Sequence, residues 1–381
     1  MATRVCSYSK INLGLAIGPV RADGFHGLAT LYQTLALHDV VTVEALIPTS
    51  QKRDVGHPES GESRITLTTS HPLVPVDGRN TAWKMVERAL ARMGVAADVT
   101  IHIEKSLPVQ GGLGAGSANA AAALMGLERE LGVALPEVER LEIAAEVGSD
   151  VPLFLVGGAV MGMGRGEIVS AMADLPATWC VVAVPEVGVS TPQAFRDWDE
   201  RQGSRFEVQG SREEQTTSGL TSPVQPDRLG ELSHVYASVL GVIPATEQTP
   251  DTSGIVRGSA ESDTRNDLAE NTLLALVRTG IENDFESVVF PQYPLLREIK
   301  RLLMGTTAGV SSGAFSEARP ADSSGNALVA GLSGSGSALF GLYQSEAEAR
   351  AAQQRVQATG CKAILTKTLP RQEYWRRMFA E

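Results

Sequence analysis

Between Pro108 and Leu124 the chain reads PVQGGLGAGSANAAAAL, a dense glycine run that passes straight into alanines. Glycine tolerates backbone shapes that other residues cannot adopt, and alanine is the strongest helix former. The segment therefore predicts a loop over Gly111–Gly116 feeding the start of a helix, with Ser117 or Asn119 as its cap. Such a junction gathers unpaired backbone N–H groups and the positive end of the helix dipole at one point, the make-up of a phosphate cradle. No Lys-Ser or Lys-Thr pair follows the glycines, so this is not a Walker A loop, and the dinucleotide glycine spacing is absent. The plain alternative is a turn before an ordinary helix. Pro108, the glycines, Ser117 and the alanine helix acting together favour phosphate binding.

Strand patterning is read over Val5–Leu15 (a strand leading into a loop), Val40–Leu46, Ile65–Thr69, Val99–Glu104, an apolar pair around Phe154–Met163, and Cys180–Pro185. It returns at Ala327–Gly331, Ala338–Tyr343 and Lys362–Thr368. Helical spacing covers Asn80–Met93 with Gly94 as its stop, Glu137–Val147, much of Asn283–Leu303, and Glu346–Thr359. This mixture argues for an α/β or α+β protein without separating the two. The 381 residues suffice for two domains. From about 200 to 266 the composition turns polar, interrupted by one apolar patch at Leu232–Ile243, which predicts a mobile insertion. Residues 306–326 predict a second loop excursion.

A formal net charge of −11 disfavours nucleic acid as a partner, because phosphate backbones need a basic face. Cys6, Cys180 and Cys361 are far apart and form no CxxC pair, so neither a zinc knuckle nor a disulfide framework is expected. The start lacks a signal-peptide core and no apolar run is long enough for a bilayer, so a cytoplasmic protein without a membrane partner is expected.

Three further segments bear on chemistry. Tyr8–Asp39 holds Lys10 and Asn12 among apolar residues; the lysine is either a solvated strand end or a cation aimed into a cleft. Gly148–Glu167 holds Asp150, which is either a turn residue or a carboxylate placed to accept a hydroxyl proton. Gly331–Tyr343, GLSGSGSALFGLY, is either a hairpin turn or a wall against phosphates.

In this order the segments resemble the three motifs of the GHMP kinases. The extended glycine loop, YSKINLGLAI with RADGFHGLATLYQTLALHD, GSDVPLFLVGGAVMGMGRGE, PEVGVSTPQAF and NDFESVVFPQYP are together similar to the branch of that superfamily that acts on a cytidylyl substrate. Ala118 stands where a second serine is frequent, and Phe25 where tyrosine is. The resemblance implies an α+β, two-domain architecture: an N-terminal domain like ribosomal protein S5 domain 2 (residues 1–178) and a ferredoxin-like C-terminal domain (179–381), with ligands in the cleft between them. It implies ATP as co-substrate with Mg2+. The nucleotide would be held by Pro108, Val109, Gln110, Gly111, Gly112, Leu113, Gly114, Ala115, Gly116, Ser117 and Ala118, with Ser117 a candidate ligand of the metal. Lys10 and Asp150 match the catalytic pair, and Asn12, Phe25 and His26 the substrate site, the aromatic–histidine pair taking the cytosine. The implied reaction is phosphoryl transfer to a tertiary hydroxyl of the small cytidylyl substrate, in the non-mevalonate route to isoprenoid precursors. A homoserine or mevalonate-type substrate, or a non-catalytic nucleotide-binding relative, stays open, as does the oligomeric state.

Overall fold

The computed structural model describes residues 2–47, 63–109, 111–213, 282–305 and 326–380. Its first sheet is organised by two long antiparallel strands, β1 (Thr3–Val20) and β2 (His26–Leu46). On the other edge of β2, β4 (Asp98–Glu104) pairs with Val40–Leu46 and β5 (Ala159–Met163) with Thr30–Gln33. β3 (Arg64–Thr69) runs parallel to β4, and β6 (Ile168–Ala171) antiparallel to β5.

Helices α1 (Thr81–Met93) and α2 (Ala115–Leu131) pack with this sheet, and α3 (Glu137–Val147) packs on those two helices. The local chemistry of α1 explains its ends: Asn80 accepts from the Ala82 amide at 2.9 Å, and Gly94 closes it in the left-handed conformation. Its buried Met85, Val86, Ala89 and Leu90 join Val41, Val43, Ile101, Ile103, Leu124 and Leu127 in one core. Each large side chain of this kind contributes about 1.5–3 kcal/mol on burial.

The second sheet has four antiparallel strands in the order β10 (Lys362–Lys367), β7 (Trp179–Val184), β9 (Leu339–Tyr343), β8 (Val329–Leu332). It packs with α6 (Pro294–Met304) and α7 (Glu346–Gln357); α4 (Thr191–Glu213) and α5 (Glu286–Gln292) pack on each other and share its core. A third apolar cluster joins the sheets, with Ile11, Leu31 and Met161 from the first and Leu113 from the glycine loop meeting Val182, Phe340 and Leu342 from the second. The last helix, α8 (Arg371–Arg376), returns to the first core: Tyr374 and Met378 are buried there, and Val5 bridges Phe379.

Several expectations change. β1 continues to Val20 and β2 begins at His26, because the residues flanking the apolar runs are buried by pairing with each other. Phe154 lies in a 3₁₀ turn, Pro152–Leu155, not in a strand. Residues 200–213, expected to open the polar insertion, continue α4. The remainder of the two expected excursions, residues 214–266 and 306–325, lies outside the described residues, as does the patch Leu232–Ile243. Cys6, Cys180 and Cys361 are free thiols. Among the described residues no helix is long and apolar enough to cross a membrane.

A candidate phosphoryl-transfer site

Strand alternation places Lys10 and Asn12 on one face of β1, and register irregularities flank them between Tyr8 and Lys10 and between Asn12 and Gly14. Both are buried, so the lysine is not a solvated strand end. The Lys10 Nζ donates to Asn12 Oδ1 at 2.6 Å, and Asn12 Nδ2 donates to Thr30 Oγ1 at 2.8 Å. Asn12 faces Tyr32 across the sheet, and the Lys10 ammonium stands 5.4 Å from that ring's centre.

Asp150 reaches this cluster from the turn between α3 and the 3₁₀ segment. Its Oδ2 is 3.2 Å from Lys10 Nζ, and its Oδ1 accepts from the Tyr32 hydroxyl at 3.0 Å. Burial, then the charge of Asp150, raises the Tyr32 phenol well above its ordinary pKa, so it is a proton donor only.

The glycine loop lies against the same lysine. The Lys10 amide donates to the Leu113 carbonyl at 3.0 Å. Gly114 is the N-cap of α2 with φ of 71°, and a Cβ there would stand 3.0 Å from both Lys10 Cγ and Phe154 Cζ. The expected caps are therefore corrected: Ser117 and Asn119 lie inside α2, and the left-handed glycine starts the helix without any side-chain cap. With no cap and no acidic residue in the first turn, the leading amides of α2 remain available to an anion.

The second Gly/Ser loop closes the other side. Ser333 Oγ donates to the Gly112 carbonyl at 2.8 Å, and the Ala338 amide donates to the Gly111 carbonyl at 3.0 Å. Asn283 Nδ2 donates to the carbonyls of Leu332 (2.8 Å) and Gly334 (2.7 Å), tying this loop to the segment that bridges Leu15. Thr191 and Ser335 hydroxyls are 2.6 Å apart. The structure thus brings together Lys10, Asn12, Asp150 and the loop from Gly111 to Ser117, followed by Ala118. Pro108 and Val109 lead into the loop; Gln110 lies outside the described residues.

Phe25 and His26 face different surroundings. Phe25 is 53% exposed, with the Arg165 guanidinium 5.0 Å from its ring. His26 is buried: Nδ1 is 2.8 Å from the Gly18 carbonyl, Nε2 is 3.1 Å from Asp199 Oδ1, and its ring stacks on Phe195 at 5.1 Å.

Residues that sequence reasoning missed support the loop from behind. Asp39, fully buried on β2, accepts from Lys105 Nζ and from the amides of Ser106 (2.7 Å) and Leu107 (2.8 Å), fixing the entry to the glycine run. The Asn119 amide nitrogen donates to Asp39 Oδ2 and to the Ala115 carbonyl, each at 3.2 Å, linking the start of α2 to the same carboxylate. Tyr32, Phe195 and Asn283 were also missed. Each lies in a segment that carries the family resemblance, but their partners are remote in sequence, so their contacts could not be read locally. A cavity of about 530 Å³ between β3 and α1, lined in part by Ile65, Trp83 and Glu87, shares no residue with this site.

Two family models match the chain: the GHMP kinases N-terminal domain over residues 80–158 and the GHMP kinases C-terminal domain over 318–361. Both models describe GHMP kinases, and they match two separate parts of the chain. A 4-diphosphocytidyl-2-C-methyl-D-erythritol kinase of Caldicellulosiruptor saccharolyticus is 28% identical over 95% of both chains. One from a Nocardioides species is 39% identical over 50% of this chain, and that match spans 61% of the relative's length. A crystal structure of 4-(cytidine 5'-diphospho)-2C-methyl-D-erythritol kinase superposes with a TM-score of 0.57 at 23% identity, covering 96% of this chain and 98% of the other, and shows the shared fold.

Proposed function

We propose that this chain is an ATP-dependent kinase that phosphorylates the 2-hydroxyl of 4-diphosphocytidyl-2-C-methyl-D-erythritol, giving the 2-phosphate and ADP in the non-mevalonate route to isoprenoid precursors. One observation carries the chemistry: the Lys10–Asp150 pair stands beside a glycine loop whose helix amides are uncapped. The full-length likeness to kinases of that name supports the acceptor. Cytoplasmic location, and a division into domains at 178/179, complete the reading.

The amides from Gly111 to Ser117 and the dipole of α2 bind the phosphates of ATP, with Pro108, Val109 and Ala118 shaping the ends of that loop. Asp150 takes the proton of the acceptor hydroxyl as its oxygen attacks the γ-phosphorus and ADP leaves. Lys10 holds the Asp150 carboxylate in place by their ion pair and offsets charge on the transferring group. Asn12, anchored by Thr30 and Lys10, orients the hydroxyl. Phe25 offers an exposed ring face to cytosine, and the half-buried Phe195, backed by the buried His26 stacked on it, offers a second.

Mg2+ fits this site as an ion held chiefly by phosphate and water. No group of three or more ligating side chains occurs among the described residues, while the half-buried Ser117 puts a hydroxyl oxygen in the first turn of α2, on the side of Gly148. When bound, the ion neutralises charge on the β- and γ-phosphates.

The test is a coupled ADP-release assay with purified chain, ATP, magnesium and a panel of acceptors. ADP should form with the cytidylyl substrate. Turnover with homoserine or mevalonate instead would overturn the acceptor, and ATP binding without any turnover would mark a non-catalytic relative.

A further inference from the structure

We propose that Tyr32 is a positioning residue for Asp150, holding the carboxylate in the orientation and charge state in which it takes the acceptor's proton. This rests on the reading of Asp150 as the base. Asp150 sits on a turn with its side chain 32% exposed, so its own packing does not fix it. Two donors from adjacent strands do: the Tyr32 hydroxyl on Oδ1 and the Lys10 ammonium on Oδ2. One donor on each oxygen sets the carboxylate plane, and each oxygen keeps a lone pair for the alcohol.

The tyrosine itself is closely packed. Its ring is 2% exposed and wedged against two glycines, since a Cβ at Gly162 would stand 2.5 Å from its Cε2 and one at Gly166 would stand 2.4 Å from its hydroxyl oxygen. A rigid ring presenting a single donor is a suitable support for a group that must be placed within a fraction of an ångström. The phenol keeps its proton throughout, as its raised pKa requires, and so acts on the chemistry only through Asp150.

The charged and titratable groups around this pair are Lys10 on β1, Tyr32 on β2, and Glu167 on the turn between β5 and β6, itself paired with Arg165 at 3.5 Å. Removing the phenolic hydrogen bond leaves the carboxylate held by Lys10 alone, and the acidic limb of the rate profile moves to higher pH.

Tyr32→Phe preserves the buried ring and removes only the donor. In the full chain it should lower kcat roughly tenfold, leave KM for ATP within about twofold, and move the acidic limb of kcat/KM upward by about one pH unit, as for a lost hydrogen bond to an ion. In an Asp150→Asn background the same change should have no further effect on turnover. A folded Tyr32→Phe enzyme with wild-type kcat and an unmoved limb overturns the proposal, and so does a lower kcat with an unmoved limb and a lowered Tm, the signature of packing alone. Should Tyr32→Phe fold poorly, 3-fluorotyrosine at position 32, a stronger donor of nearly the same shape, must move the limb to lower pH; an unmoved limb there is equally fatal. If Asp150→Asn itself retains turnover, the base assignment fails. If Asp150→Asn is inactive while Tyr32→Phe matches wild type, only the role of Tyr32 fails.

Discussion

The Lys10 ammonium lies 3.2 Å from Oδ2 of Asp150, one side chain 3% and the other 32% exposed, although they come from a strand and a turn on opposite sides of α2 in the sequence. The lysine is out of water and its partner half in it, so the aspartate can meet a solvent-borne ligand while the cation stays fixed. Asp150→Asn keeps the shape and removes the charge. Turnover should fall by roughly 10²–10⁴-fold, the usual reach of a positioned base. Calorimetry should find ATP affinity within about twofold of wild type, because the glycine loop is untouched. Near-normal turnover in the asparagine variant would remove Asp150 as the base.

Gly112 has φ of +80°, and a Cβ there would stand 2.0 Å from the Ser333 carbonyl oxygen. Gly112→Ala should therefore force the two Gly/Ser loops apart, at a cost of about 1–3 kcal/mol for backbone strain. We expect KM for ATP to rise more than KM for the acceptor, with a lower Tm by calorimetry. An alanine variant with wild-type KM for ATP and unchanged Tm would contradict the close docking of these loops.

Asp39 is fully buried and holds Lys105 together with two backbone amides. Asp39→Ala strands the lysine without its charge partner, which at buried sites costs about 3–5 kcal/mol. Urea unfolding should show that loss. The double variant Asp39→Ala with Lys105→Met should recover part of it, and no recovery would mean that the amide bonds matter more than the ion pair.

Burial raises the carboxyl of Glu128 above its ordinary value of 4.5, outweighing the charge of Arg140 beside it. The folded chain thus binds this proton more tightly than the unfolded one. The associated stabilisation is complete below about pH 4.5 and is lost as pH rises through the folded value. Glu128→Gln should flatten that part of the stability profile, measured as Tm against pH. Parallel profiles for the two proteins would show that Glu128 is not the group responsible.

Phe25 is half exposed, so Phe25→Ala should leave Tm nearly unchanged. If its ring stacks on cytosine, the loss of roughly 1–3 kcal/mol raises KM for the cytidylyl substrate about tenfold or more and leaves KM for ATP alone. Equal movement of both constants would argue against stacking.

Much of this site could be read from local sequence, because its chemistry is carried by short segments. The glycine loop, Lys10, Asn12 and Asp150 each sit in a stretch whose residue types already limit what the backbone can do. The helix boundaries at Asn80, Gly94 and Val147 followed from capping and spacing. What failed was whatever depends on distant partners. Tyr32 meets Asp150, and Asp39 meets Lys105, only once β2 has taken its place in the sheet. The full extent of β2 was hidden because its residues from Ala29 to Leu35 are all buried, which erases strand alternation. Ser117 and Asn119 were plausible caps by residue type, but a left-handed glycine starts the helix before either.

The two ends of the described chain are stitched to each other: the Cys6 amide donates to the Met378 carbonyl at 2.7 Å, and the Ala380 amide to Arg4 at 3.1 Å. In the nascent chain, the strand that bears Lys10 emerges long before its neighbours at Tyr374 and Met378. The first sheet therefore keeps an unsealed flank until α8 has been made.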